Sequence, residues 1–199
     1  MPLSFYLVLC YNNHINQLQT GDCIAKKMKL IALLTTAVTV LCAALYINIE
    51  NGLLLTFAIT FGTTSYHLLM RLLVGFSVNL LLNNHVDYRR KWFRVSSSEQ
   101  KFYNKIKVKN WKGKMATYDP NCFDSRIHTW DEIAQATCQA ELVHEVIIVL
   151  SFIPVFASAC FGALSVFIVT SFLAACYDAM FVIMQRYNRP RIIKIIEKR

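Results

Sequence analysis

The run ALSVFIVTSFLAACYDAMFVIM, residues 163–184, passes without a break into QRYNRPR, residues 185–191. The first run is interrupted by one carboxylate, Asp178, and is long enough to cross the roughly 30 Å hydrocarbon core of a bilayer as one helix. Cations placed directly after such a helix act as an orientation signal, because Lys and Arg gather on cytoplasmic flanks. Orientation needs only charge, however, and not the Gln, Tyr, Asn and Pro found between these arginines. Residues Gln185 to Arg191 are therefore either a stop signal or a site for an anionic ligand.

Outward from this run, the composition agrees with an integral membrane protein. Of 199 residues, 55% are hydrophobic and 17% charged, too oily for an ordinary soluble domain. The formal charge of +9 collects at Lys26 to Lys29, between Arg89 and Lys114, and from Arg186 onward, with the apolar runs between. That segregation follows membrane topology and argues against a nucleic-acid surface. Seven cysteines form no C-x-x-C pair and several sit in apolar runs, which predicts neither a disulfide framework nor a metal site.

Four spans follow, at roughly 30–49, 53–82, 142–162 and 163–184, within a single membrane domain covering 1–199. Leu3 to Cys10 is too short to cross, and Met28 is a candidate alternative start; peptides from upstream of it in the natural protein would exclude that start. The first span lacks a small residue before Cys42, unlike a cleaved lipoprotein signal. Pro154 is expected to kink or break the third span. The expected fold is an all-α membrane bundle of about four transmembrane helices. A large loop, 83–141, joins the second and third spans, and a basic tail covers 185–199. With four spans, both termini and the loop share one face, placed in the cytoplasm of a multi-pass cell-membrane protein by its Lys and Arg content.

Within the loop, Phe102, Tyr103 and Ile106 are expected to share a helical face lying on the membrane, with lysines reaching for headgroup phosphates. Ser96 to Ser98 read as a local linker. Thr129 and Glu132 form a capping-box pattern that should start the helix entering the third span.

Topology brings the unusual polar residues to one level. Glu141 and His144 are spaced i,i+3, so one helix face presents both, and the carboxylate can orient the imidazole of a general base. A purely structural pair remains open. Asp178 lies near the end of the fourth span. His67 and Arg71, i,i+4 in the second, form either a structural pair or a ligand-facing one. The His-Glu-x-x-His zinc pattern fails at Ile148, and no Gly-x-Ser-x-Gly, Walker or Rossmann motif is present.

Thr137-Cys138-Gln139-Ala140-Glu141-Leu142-Val143-His144 resembles the T-C-R-A-E-x-x-H segment of the glycosyl-4,4'-diaponeurosporenoate acyltransferase family of bacterial membrane proteins. Gln185 to Arg191 is similar to that family's Q-R-Y-N-R-P-R ending. Tyr103 through Trp111-Lys112 is similar to its Y-x-x-x-x-x-x-x-W-K segment. Gln139 stands in place of the family's Arg, and Gly113, Met115 and Ala116 stand where an Asp and a nearby Pro are common.

The resemblance implies a membrane acyltransferase that esterifies a hydroxyl of a glycolipid-like or polar-headed membrane lipid with a fatty acyl group. Glu141 and His144 would be its acid-base pair. Arg186, Asn188, Arg189 and Arg191 would hold donor or acceptor, and Gln185, Tyr187, Asp178, His67, Arg71, Trp111 and Lys112 would line the same site. The implied partners are the membrane, the lipid acceptor and an acyl donor, acyl-CoA or acyl carrier protein, with no tightly bound cofactor, no metal and no nucleic acid. Two other readings stay open: a small helical membrane methyltransferase or reductase, and a non-catalytic lipid-binding subunit. In the last, the heptad is only an anchor, and Arg189→Lys and Asn188→Ala should leave the protein unchanged.

Overall fold

In a computed structural model, the described residues are 3–111, 115, 120–162 and 164–198, with the backbone alone for 3–23 and 120. They form helices and turns, with no strand among them. The long helices are α1 (Leu3–Ile49), α2 (Gly52–Leu82), α4 (Trp130–Leu150) and α6 (Leu164–Ile196). Shorter α3 (Ser97–Lys105) lies in the loop, and α5 (Pro154–Phe161) extends α4. Four stretches are long and apolar enough to cross a membrane: Ile24–Ile49, Gly52–Leu82, Trp130–Phe161 and Leu164–Ile196. Large apolar side chains such as Leu33, Ile47, Leu81, Phe156 and Leu173 stay exposed on them, as lipid-facing residues do.

Local chemistry sets the breaks. Asn51 caps α2 by accepting from the Leu53 N–H at 2.9 Å, and α2 ends on Asn83 in the left-handed region, a conformation asparagine tolerates. The expected capping box at Thr129 is formed: its hydroxyl accepts from the Glu132 N–H, and Glu132 accepts from the Thr129 N–H at 2.8 Å. Pro154 does break the third span, standing in the first turn of α5 after Ser151 has capped α4. At the break, the Tyr66 hydroxyl donates to the Leu150 carbonyl at 2.8 Å. Gly162, with φ of 69°, turns the chain from α5 towards α6.

Four expectations change. α1 begins far ahead of Leu30, at Leu3. Ser96 to Ser98 is no linker: Ser96 and Glu99 form a second capping box that starts α3. Tyr103 and Phe102 do not share a membrane face either. Tyr103 is buried with Val108 and Tyr187 while Phe102 is 54% exposed, because α3 stops at Lys105 and turns its tyrosine inward. The heptad, finally, is not an extended tail, since α6 continues through Pro190 to Ile196.

Packing proceeds by neighbours. α1 lies along α2, with Thr36 and Ser65 hydroxyls 2.5 Å apart. α4 packs on both α2 and α6, whereas α2 and α6 meet each other only marginally. One stripe of α6 is buried against α4: Phe167, Ser171, Ala175, Asp178, Phe181, Gln185, Arg189 and Ile192, at three- and four-residue steps. That stripe carries both polar groups of the site.

The α1–α2 contact is close at Gly62, where a Cβ would sit 3.3 Å from the Thr39 methyl. Gly62→Leu should push the hairpin apart and destabilise the detergent-solubilised protein by about 1–3 kcal/mol, read as a lower melting temperature.

Candidate functional site

Thr137, Glu141 and His144 lie at i, i+4 and i+7 on α4, and each meets a residue of the antiparallel α6. Two polar assemblies result. In the first, Glu141 is fully buried and both of its oxygens are taken, one by Arg186 at 2.6 Å and the other by Arg189. Arg189, itself fully buried, also donates to the Thr137 hydroxyl and carbonyl, each at 3.1 Å, and to the Phe93 carbonyl at 3.0 Å. Arg186 donates further to Glu99 and to the carbonyls of Trp92 and Arg94. Glu99, Arg186, Glu141 and Arg189 thus alternate in sign and tie the loop to α4 and α6.

In the second assembly, the His144 Nδ1 lies 2.9 Å from Oδ1 of Asp178, which is 1% exposed. Arg71 of α2 binds the other oxygen of the same carboxylate and donates to the His67 carbonyl at 2.9 Å. The Phe181 ring stacks on the imidazole at 4.5 Å between centroids and 7° between planes. His144 is 22% exposed, and its Nε2 makes no hydrogen bond to a described residue. This is the geometry of an oriented base: a buried carboxylate fixes one nitrogen and the other is left for a proton.

The expected contact of Glu141 with His144 is therefore corrected. Adjacent on one helix, the two residues turn to different partners, because Glu141 is claimed by two guanidiniums and Asp178 supplies the carboxylate beside the imidazole. The heptad is likewise divided. Arg186 and Arg189 spend their donors within the protein, and Arg191 rests over the Tyr187 ring at 4.1 Å with its side chain otherwise exposed. Gln185 is buried and Asn188 half-buried, and neither makes a side-chain hydrogen bond to a described residue. Trp111 packs with Tyr103, Val108 and Tyr187, at a distance in sequence and cluster from the His144 dyad; Lys112 lies outside the described residues. His67 and Arg71 do stand with Asp178, in the second assembly. Cys138 is fully buried among Ile133, Ala134 and Tyr88.

Some contributors carried little sequence signal. For Glu99 the one signal that could have found it is its place three residues after Ser96, the spacing of a capping box. Gln139 links α2 to α4 by accepting from the Asn84 N–H at 2.7 Å and donating to Asn79 at 3.1 Å. Glu145 accepts from the Trp92 indole at 3.0 Å.

Residues 89–198, more than half of the chain, match the profile of the glycosyl-4,4'-diaponeurosporenoate acyltransferase family. The chain belongs to that acyltransferase family. No curated protein and no solved structure matches it.

Two expectations follow. Arg189→Lys keeps the charge but not the fan of donors, so it should destabilise the detergent-solubilised protein by about 3–5 kcal/mol, measured by thermal unfolding. Glu99 is opposed by burial, but the Ser96 N–H, the Tyr103 hydroxyl and Arg186 together hold its pKa below the ordinary 4.5. A lowered pKa means that its contribution is complete above 4.5 and fades as pH falls through the folded value. The loop should therefore loosen in acid, seen as a change in Trp92 fluorescence, and Glu99→Gln should abolish that acid transition.

Proposed function

We propose that the protein transfers a fatty acyl group from a thioester donor, acyl-CoA or acyl carrier protein, to a hydroxyl of a polar-headed membrane lipid. The observation that carries this reading is the free Nε2 of His144 opposite an Nδ1 held by buried Asp178. Nε2 takes the proton from the acceptor hydroxyl as its oxygen attacks the thioester carbonyl carbon. The tetrahedral adduct collapses, an ester C–O bond replaces the C–S bond, and the departing thiolate receives the proton from His144.

Asp178 serves as the orienting group, with Arg71 balancing its charge in a medium where a lone carboxylate is costly. Glu141 takes the role of a positioning residue: it fixes the α4–α6 register on which the His144–Asp178 contact depends. The cations of the loop and of α6 support, through the positive-inside rule, a reaction at the cytoplasmic side of the cell membrane with both termini on that side. Exposed Arg191, Lys194 and the loop lysines favour an anionic donor such as the phosphates of an acyl-CoA.

The test is transfer of labelled palmitate from palmitoyl-CoA into vesicles of the cell's own total lipid extract. His144→Ala should lower kcat by about 10²–10⁴-fold, and Asp178→Asn should do nearly the same with KM little changed. Full transfer by His144→Ala would exclude this mechanism.

A further inference from the structure

Among the described residues, His67 and Ser171 have buried side-chain polar atoms without a hydrogen-bond partner, and His67 has two of them. Both ring nitrogens of His67 are buried and have no hydrogen-bond partner among the described residues. A buried imidazole left unpaired at both nitrogens is unfavourable, and such a group in a native fold points to a missing partner. Its surroundings tie it to the second polar assembly. His67 is one helical turn from Arg71, whose guanidinium joins the His67 carbonyl to Asp178, so a single side chain couples this position to the His144 dyad. Tyr66, next to it, fixes α2 against α4 at this level through the Leu150 carbonyl.

α2 and α6 both pack on α4, and Arg71 of α2 reaches across to the Asp178 carboxylate of α6. Along α2, His67 lies on the side of Arg71 away from the polar loop, about 6 Å along the helix axis. A fatty acyl thioester entering between α2 and α6, with its polar end at the loop and its chain in the bilayer, has its carbonyl oxygen as the last polar atom before the chain. That atom only accepts hydrogen bonds, and a neutral imidazole has one N–H to give.

We propose that His67 donates a hydrogen bond to the carbonyl oxygen of the acyl thioester and stabilises the oxyanion formed there. The proposal rests on the acyl-transfer reading above and assigns a catalytic residue to α2, outside the segment matched to the family. As the acceptor oxygen bonds to the carbonyl carbon, the C=O π pair moves onto oxygen, facing the His67 N–H. On collapse the pair returns, the C–S bond breaks and the thiolate leaves with the proton held by His144. His67 keeps its own proton throughout, so His144 is the base and His67 the electrostatic partner.

The orphaned state of His67 makes the test clean, because removing its imidazole breaks no side-chain hydrogen bond among the described residues. Detergent-solubilised full-length His67→Leu should melt at the wild-type temperature or above, yet lose about 10²–10³-fold in kcat for palmitate transfer from palmitoyl-CoA, with its KM and the pH profile unmoved. With [1-¹³C]palmitoyl-CoA, the bound carbonyl resonance should lie downfield of the free thioester in wild type and in His144→Ala, and return towards the free position in His67→Leu. Wild-type kcat in His67→Leu, an unchanged bound resonance, or a melting temperature several degrees lower would each overturn the assignment while leaving the His144 mechanism standing. Failure of the wild type to bind palmitoyl-CoA would overturn both.

Discussion

A carboxylate with no access to solvent must be compensated where it stands, and Glu141 is the constraint to which this structure answers. Each of its oxygens receives a guanidinium from α6, and each guanidinium brings further donors that need acceptors. Those acceptors are found in the loop: the carbonyls of Trp92, Phe93 and Arg94, and the Glu99 carboxylate. Compensation of one buried charge thereby fixes where the loop lies, how α4 and α6 are aligned, and the angle at which α6 leaves the bundle. Removing any one member would strand the others, which makes the assembly all-or-none.

The same alignment sets the second polar assembly. Once Glu141 is locked to Arg186, the antiparallel α6 brings Asp178 and Phe181 to His144, and the imidazole is held at its edge by a carboxylate and on its face by a ring. The two assemblies divide the labour. The one nearer the loop is saturated and rigid, while the one deeper in the bundle keeps an unpaired nitrogen on His144 and two on His67. Unpaired polar atoms are tolerated where a substrate supplies the missing bond, and such sites are held in place by surroundings that have no freedom of their own.

What was legible in the sequence had a local cause. The turn at Asn51, the Thr129 capping box and the break at Pro154 depend on neighbouring residues, and a helix starts or stops at each of them. The α3 capping box escaped notice because three successive serines mask which one caps. The continuation of α6 was hidden by Pro190 and by the polar composition of the heptad, which read as the end of a helix although every third or fourth residue still faced α4. The partners of Glu141 and His144 were not readable at all. Their i,i+3 spacing suggested each other, whereas the true partners depend on the register of a helix some 40 residues on, a long-range property that no local pattern encodes. Membership of the acyltransferase family was legible from Thr137 to His144 and from Gln185 to Arg191, and the segment matched includes both.

The break between α4 and α5 bears on how the bundle is assembled. A helix interrupted within a bilayer leaves carbonyl groups that lipid cannot solvate. Leu150 resolves this by accepting from Tyr66, a side chain of another helix. The bend is thus completed in trans within the chain: it settles into its final shape against an α2 already in the membrane. Synthesis from the N-terminus supplies that order, with the α1–α2 hairpin acting as an internal template on which the later, irregular helix closes.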